Sequence, residues 1–188
     1  MSQPTILVLP GWQNSGPQHW QTVWQEQNSA FLRVEQRDWD VPVLADWVSG
    51  LSAAVERASP PVVLVAHSLG CMTVAQWARS PQGRSGLVRA ALLVAPADVD
   101  RSDMPREIQG FGPVPALRLP FHSMLVASTN DPYLGIERAQ TFAENWRSQF
   151  FNIGPAGHIN GESGLGDWPE GKRMLRALTE TALASQML

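Results

Sequence analysis

"VVLVAHSLGCM", residues 62–72, begins as an aliphatic run and changes character at Ser68, which stands among small residues. A short run of Val and Leu with no polar alternation reads as a strand buried on both faces, whereas the residues after Ser68 take helical spacing. The chain must therefore reverse sharply at the serine. Ala66 and Gly70 are small enough to let that turn close.

Outward from this stretch the same alternation repeats. Apolar runs at 5–10, 31–39, 89–96, 122–129 and 149–154 join 62–67 as six expected strands, and helical spacing is found at 17–28, 43–58, 69–79, 137–147 and 171–186. Pro17 stands where a first helical residue is expected. Strand alternating with helix predicts an α/β fold: a mainly parallel sheet with right-handed crossovers and helices on both faces. The order expected for its six strands is 2-1-3-4-5-6. Only the segment 98–120, rich in Pro and Gly, breaks the rhythm, and it reads as an irregular loop or short lid. The length of 188 residues suits one domain spanning 1–188.

Bulk composition narrows the function. With 44% hydrophobic and 16% charged residues the chain reads as globular, and a net charge of -3 leaves no basic surplus for a phosphate backbone, which points away from nucleic acid. Cys71 is the single cysteine, so neither an internal disulfide nor a thiolate zinc cluster can form. The N-terminal residues lack the pattern of a signal peptide and no apolar run approaches membrane-spanning length, so the expected location is cytoplasmic, with no membrane partner. There is no His-Glu-x-x-His motif, and no metal or other cofactor is expected.

In an open α/β sheet, ligands bind beyond the carboxyl ends of the strands. Ser68 falls at such an end, against a helix N-terminus whose free N–H groups favour developing negative charge. A hydroxyl alone is a weak nucleophile and needs a base, which in turn needs an orienting acid. Later strand ends supply both: Asp131 in "STNDPYLG" after the fifth strand and His158 in "GPAGHINGESGLGDWPEG" after the sixth. The order Ser, Asp, His is that of the nucleophile-elbow hydrolases. Asp98 and Asp100, after the fourth strand, are rival acids. Among the other histidines, His67 is the variable residue of the elbow, His19 belongs to a helix and His122 to a strand start. The first strand ends in "LPGW", so the N–H of Trp12 is expected to pair with that of Leu69 as an oxyanion hole, with Gly11 allowing close backbone approach.

These motifs resemble the α/β-hydrolase superfamily and, more narrowly, the small serine-hydrolase family that includes retinoblastoma-binding protein nine and its bacterial relatives. The resemblance is carried by "LPGW", "DW" at 38–39, "VAHSLG", "STNDPY" and "GHINGESGLGDWP", and it covers nearly the whole chain. It implies a compact fold without a large cap, Ser68, Asp131 and His158 as a triad, and hydrolysis of carboxylic esters or amides. One departure is Ala66, which stands where G-x-S-x-G has its first glycine.

Of the eight tryptophans, Trp20 and Trp24 lie four apart and should pack on the sheet, whereas Trp12, Trp39 and Trp168 fall on loops expected near the active edge, where they either line a pocket or brace those loops; Trp39 and Trp168 are the candidate substrate-binding residues. Cys71 is expected to face inward, and the glycines around His158 to give its loop mobility. The resulting expectation is a serine hydrolase acting through an acyl-Ser68 intermediate on a small-molecule acyl substrate. The alternative is a catalytically weak protein-binding module presenting loop tryptophans to a partner of unknown identity. Acyl transfer to another nucleophile, or a lyase using the same Ser and His, has the same residues.

Overall fold

The computed structural model describes residues 3–184. Six strands, β1 (Thr5–Leu9), β2 (Phe31–Arg33), β3 (Val62–His67), β4 (Val88–Val94), β5 (His122–Ala127) and β6 (Gln149–Asn152), form one sheet of order β2-β1-β3-β4-β5-β6. All pairs are parallel. The helices are α1 (Trp20–Gln27), α2 (Leu44–Arg57), α3 (Leu69–Trp77), the short α4 (Arg106–Gln109), α5 (Ile136–Trp146) and α6 (Pro169–Ala184).

The alternating side chains of each strand feed two separate cores. On one face Leu7, Leu9, Leu64 and Ala66 pack with Trp47 and Leu51 of α2, Met72 of α3 and Phe142 of α5. On the other, Ile6, Val63, Val65 and Leu92 pack with Trp20 and Trp24 of α1 and Leu175 of α6. β3, at the centre, is buried at every residue, which is why it carries no polar alternation.

The second strand is shorter than its apolar pattern suggests. Pairing with β1 stops near Val34, whose N–H still reaches the Val8 carbonyl. Asp38 then accepts hydrogen bonds from the N–H groups of Asp40 and Val41, closing a turn where 31–39 reads as continuous strand. α1 likewise starts later than expected: His19 is its N-cap and Pro17 lies in the turn before it. The expected last helix, 171–186, begins at Pro169, and positions 185 and 186 lie outside the described residues.

The 98–120 segment contains α4 and is fastened down. Met104, Ile108, Phe111 and Leu119 are buried. Asp98 and Asp100 both pair with Arg138 of α5, at 3.2 and 2.8 Å, and Asp100 also accepts from the Val114 N–H. No helix among the described residues is long and apolar enough to cross a membrane.

Candidate active site

At the β3–α3 junction Ser68 takes φ 53° and ψ −121°, a conformation that side chains other than glycine rarely adopt. It stands at the N-cap position of α3, yet its side chain caps nothing. Two glycines permit the strained turn. A Cβ on Gly70 would lie 2.4 Å from the Leu9 carbonyl oxygen, and one on Gly11 would lie 2.7 Å from the Ser68 Cβ. The ends of β1 and β3 are thus pressed together around the hydroxyl.

Instead of capping α3, Ser68 Oγ lies 2.9 Å from His158 Nε2. His158 Nδ1 is 2.9 Å from both carboxylate oxygens of Asp131. With Nδ1–H donating to the carboxylate, Nε2 is the bare nitrogen, free to accept from the serine hydroxyl. The Asp131 side chain is 1% exposed, and its Oδ1 also accepts from the Tyr133 N–H, which orients the carboxylate. Sequence reading names these three residues, and the fold brings them into one hydrogen-bonded chain. Asp98, the rival acid, is turned to Arg138 instead.

The loop carrying His158 is pinned along its length. Ser128 Oγ accepts from the Ala156 N–H, and Asn130 Oδ1 accepts from the Gly157 N–H. The His158 carbonyl accepts from His67 Nε2 at 2.8 Å, and the Ile159 carbonyl accepts from the Trp20 indole N–H. Ser163 Oγ donates to the Ala156 carbonyl. Its glycines therefore serve geometry and not mobility: Gly154, Gly157, Gly164 and Gly166 all have positive φ.

The loop after β1 is equally constrained. The Gln13 N–H donates to the Trp39 carbonyl, the Trp12 indole to the Asp40 carbonyl, and the Asn14 N–H to the Gly11 carbonyl. Arg33 reaches across to Asn14 Oδ1 and Thr22 Oγ1. Leu69 opens α3, so its N–H has no acceptor within the helix, and the Trp12 N–H has no partner among the described residues.

Ser68 and His158 open onto a cavity of about 510 Å³. Hollows of about 630 and 710 Å³ elsewhere touch none of Ser68, Asp131 or His158. Trp12 lines the active cavity, as do Met104 and Ile108 of the 98–120 segment. Trp39 and Trp168, expected to bind substrate, do not. Trp39 is half-buried, edge-on to Trp47. Trp168 is buried against Trp20 and Trp24, where a Cβ on Gly171 would run into its indole. Among the loop tryptophans of the binding-module alternative, Trp12 and Trp39 are half-buried and Trp168 is buried. Cys71 is buried with its thiol near the Val94 carbonyl, and burial pushes that thiol up.

Two histidines set aside on sequence grounds belong to the site. His67 packs 4.9 Å from the His158 ring and His19 packs 4.7 Å from His67, centroid to centroid. Burial drives His67 well below the ordinary imidazole value, with His19 and His158 adding to the shift. Burial, then Arg33, then His158 push His19 down to about 3. Both shifts favour the neutral ring at physiological pH. The histidine content of the elbow was the available signal, but a ring's partner ninety residues away cannot be read from spacing.

Comparison with known proteins bears on the family and the fold. The profile of a family described as serine hydrolase matches residues 6–177. A solved structure from Pectobacterium atrosepticum, described as a YdeN-like hydrolase, shares 32% identity, with 96% of this chain and 92% of that chain covered and a TM-score of 0.84. The ydeN product of Bacillus subtilis shares 17% identity over 95% of this chain and 100% of that one, with a TM-score of 0.75. Est1E of Butyrivibrio proteoclasticus, solved with ferulic acid bound, shares 12% identity over 100% and 91%, with a TM-score of 0.71. The last two show the fold alone. No curated protein matches the sequence.

Proposed function

The chain belongs to the serine hydrolase family, and from that premise we propose that it cleaves small carboxylic esters, thioesters or amides through an acyl-Ser68 intermediate. The observation that carries the reading is the hydrogen-bonded chain from Ser68 Oγ through His158 to the buried Asp131 carboxylate. In this mechanism His158 Nε2 takes the hydroxyl proton as Oγ attacks the substrate carbonyl carbon. The carbonyl oxygen becomes an oxyanion, which the N–H groups of Trp12 and Leu69 stabilise. His158 then gives the proton to the leaving alcohol, thiol or amine as its bond to the acyl carbon breaks. A water molecule, deprotonated by His158 in its turn, attacks the acyl-serine and releases the acid. Asp131 holds the Nδ1–H tautomer throughout and stabilises the imidazolium.

Small substrates are favoured because the cavity measures about 510 Å³ and the anchored 98–120 segment contributes Met104 and Ile108 to its lining. A fluorophosphonate probe, applied to wild type and Ser68→Ala and followed by intact mass and peptide mapping, tests the reading. Stoichiometric labelling of Ser68 that disappears in the variant is expected. Folded wild-type protein that takes up no label would overturn it.

A further inference from the structure

Arg33, at the end of β2, is a half-buried cation whose hydrogen-bond acceptors are all neutral. Its guanidinium donates to Gln25 Oε1, Thr22 Oγ1, the Ser15 carbonyl and Asn14 Oδ1. A charge withdrawn from water without a carboxylate partner is costly, so its retention asks what the guanidinium holds in place. Of these partners only Asn14 lines the active cavity.

Asn14 is fixed in both backbone and side chain. Its N–H donates to the Gly11 carbonyl, and it follows Gln13 in a left-handed pair, φ 64° and 66°, that contains no glycine. Strained backbone of this kind persists where the surrounding structure holds it, and it gathers at functional sites. Oδ1 accepts from the Ser15 N–H and from Arg33, each at 2.8 Å, and neither Ser15 nor Arg33 lines the cavity. The carboxamide oxygen is thereby turned away from the cavity, which leaves the Nδ2 edge toward it. Nδ2 has no partner among the described residues and is not one of the buried unpaired polar atoms, so it keeps surface that a ligand can reach. An amide whose oxygen accepts from a guanidinium is also polarised, which strengthens its N–H as a donor.

The side chain can therefore donate to a ligand but has little left with which to accept. Glu162 is the only formally charged side chain among the described lining residues, so an uncharged acceptor suits the cavity better than a carboxylate. We infer that Asn14 is a specificity residue, its Nδ2–H donating to an uncharged carbonyl oxygen that the substrate carries in addition to the scissile one. The substrate class is then an ester or amide bearing a second carbonyl, and not a simple alkyl ester. This rests on the acyl-serine reading above.

The test uses two pairs of esters of matched length, one pair for each side of the scissile bond. Acetonyl butyrate is set against isobutyl butyrate, and methyl N-acetylglycinate against methyl pentanoate. Both pairs are measured on wild type, Asn14→Asp and Asn14→Gly. Asp keeps an oxygen for Ser15 and Arg33, accepts the same backbone and replaces the donor by an acceptor; Gly suits the positive φ and removes the carboxamide without adding charge. Intrinsic ester reactivity cancels because each ratio is compared between proteins. In both variants the ratio of kcat/KM within one pair is expected to fall by about tenfold, chiefly through KM, the size of one recognised hydrogen bond. The pair that responds identifies the side of the substrate that carries the carbonyl. Ratios that stay within about twofold in both pairs, or equal losses for both members of a pair, overturn the inference.

Fluorophosphonate labelling of the same preparations separates the two levels. If Ser68 labels and neither ratio moves, the specificity assignment is wrong and the mechanism stands. If nothing labels, the mechanism falls, and the side-chain amide resonance of Asn14, identified by its absence from Asn14→Asp, decides the recognition by itself. A shift in Ser68→Ala protein on titration with acetonyl butyrate or methyl N-acetylglycinate, and none with the matched alkyl ester, supports the inference; no shift with either carbonyl ester overturns it.

Discussion

His67 Nε2 donates a hydrogen bond to the backbone carbonyl of His158 at 2.8 Å, so the residue before Ser68 holds the main chain of the histidine to which Ser68 is hydrogen-bonded. The β3–α3 turn and the loop after β6 are thereby locked to each other, independently of the Ser68–His158 bond itself.

From this link, His67→Phe is expected to lower kcat by about tenfold to a hundredfold with KM changed by less than about threefold, because Phe keeps the ring in the cluster and loses the donor. Misplacement of a general base by a fraction of an ångström has a cost of that order. Steady-state kinetics on one ester settles it. An unchanged kcat would mean that Ser128, Asn130 and Trp20 suffice to place the loop.

The two candidate acids are separable by the same assay. Asp131→Asn is expected to reduce kcat by about 10⁴, the scale on which an orienting carboxylate acts elsewhere, since an amide at that position favours the wrong imidazole tautomer. Asp98→Asn is expected to leave kcat within about threefold and to reduce stability by about 1–2 kcal/mol, because its carboxylate braces Arg138 of α5. A large kcat loss in Asp98→Asn, with Asp131→Asn active, would reverse the roles.

Much of this arrangement is legible in the sequence because of where the residues fall. Buried parallel strands must be aliphatic runs, so the strands themselves and the strand ends bearing Ser68, Asp131 and His158 follow from patterning. What escapes is decided by contacts between distant segments. Whether Trp168 faces the cavity or the core depends on how α6 meets α1, and the pairing of His67 with the His158 carbonyl spans 91 positions. The end of β2 escapes for the opposite reason: a local Asx turn at Asp38 overrides an apolar pattern that looks continuous.

The small residues flanking the nucleophile differ in what they tolerate. A Cβ on Gly70 would meet the backbone oxygens of Leu9 and Pro10 at 2.4 and 2.7 Å, and backbone cannot rotate away. Gly70→Ala is therefore expected to cost about 3 kcal/mol in urea unfolding and to displace the elbow, with loss of labelling at Ser68. Ala66, by contrast, is fully buried within a strand. Ala66→Gly completes the G-x-S-x-G motif, but it removes a packed methyl and adds backbone freedom. The expected result is a loss of about 1 kcal/mol with kcat within about twofold. A gain in activity would show that the alanine holds the turn away from its best geometry.

Acid should weaken the fold through the two neutral histidines. His19 and His67 both have imidazoles pushed below the ordinary 6.5, His19 to about 3. Between those values the unfolded chain binds protons that the folded one excludes, so stability is complete above about pH 6.5 and falls as pH drops. His19 contributes a slope of about 1.4 kcal/mol per pH unit in that window, and His67 adds to the loss in the same direction. Urea unfolding at about pH 7.5, 6.5 and 5.5 is expected to show the fall beginning near 6.5, above the range where most carboxylates titrate. His19→Asn keeps the helix cap and removes one titrating ring, so its slope should be shallower by about one proton. If wild type and variant lose stability in parallel, His19 is protonated in the folded protein.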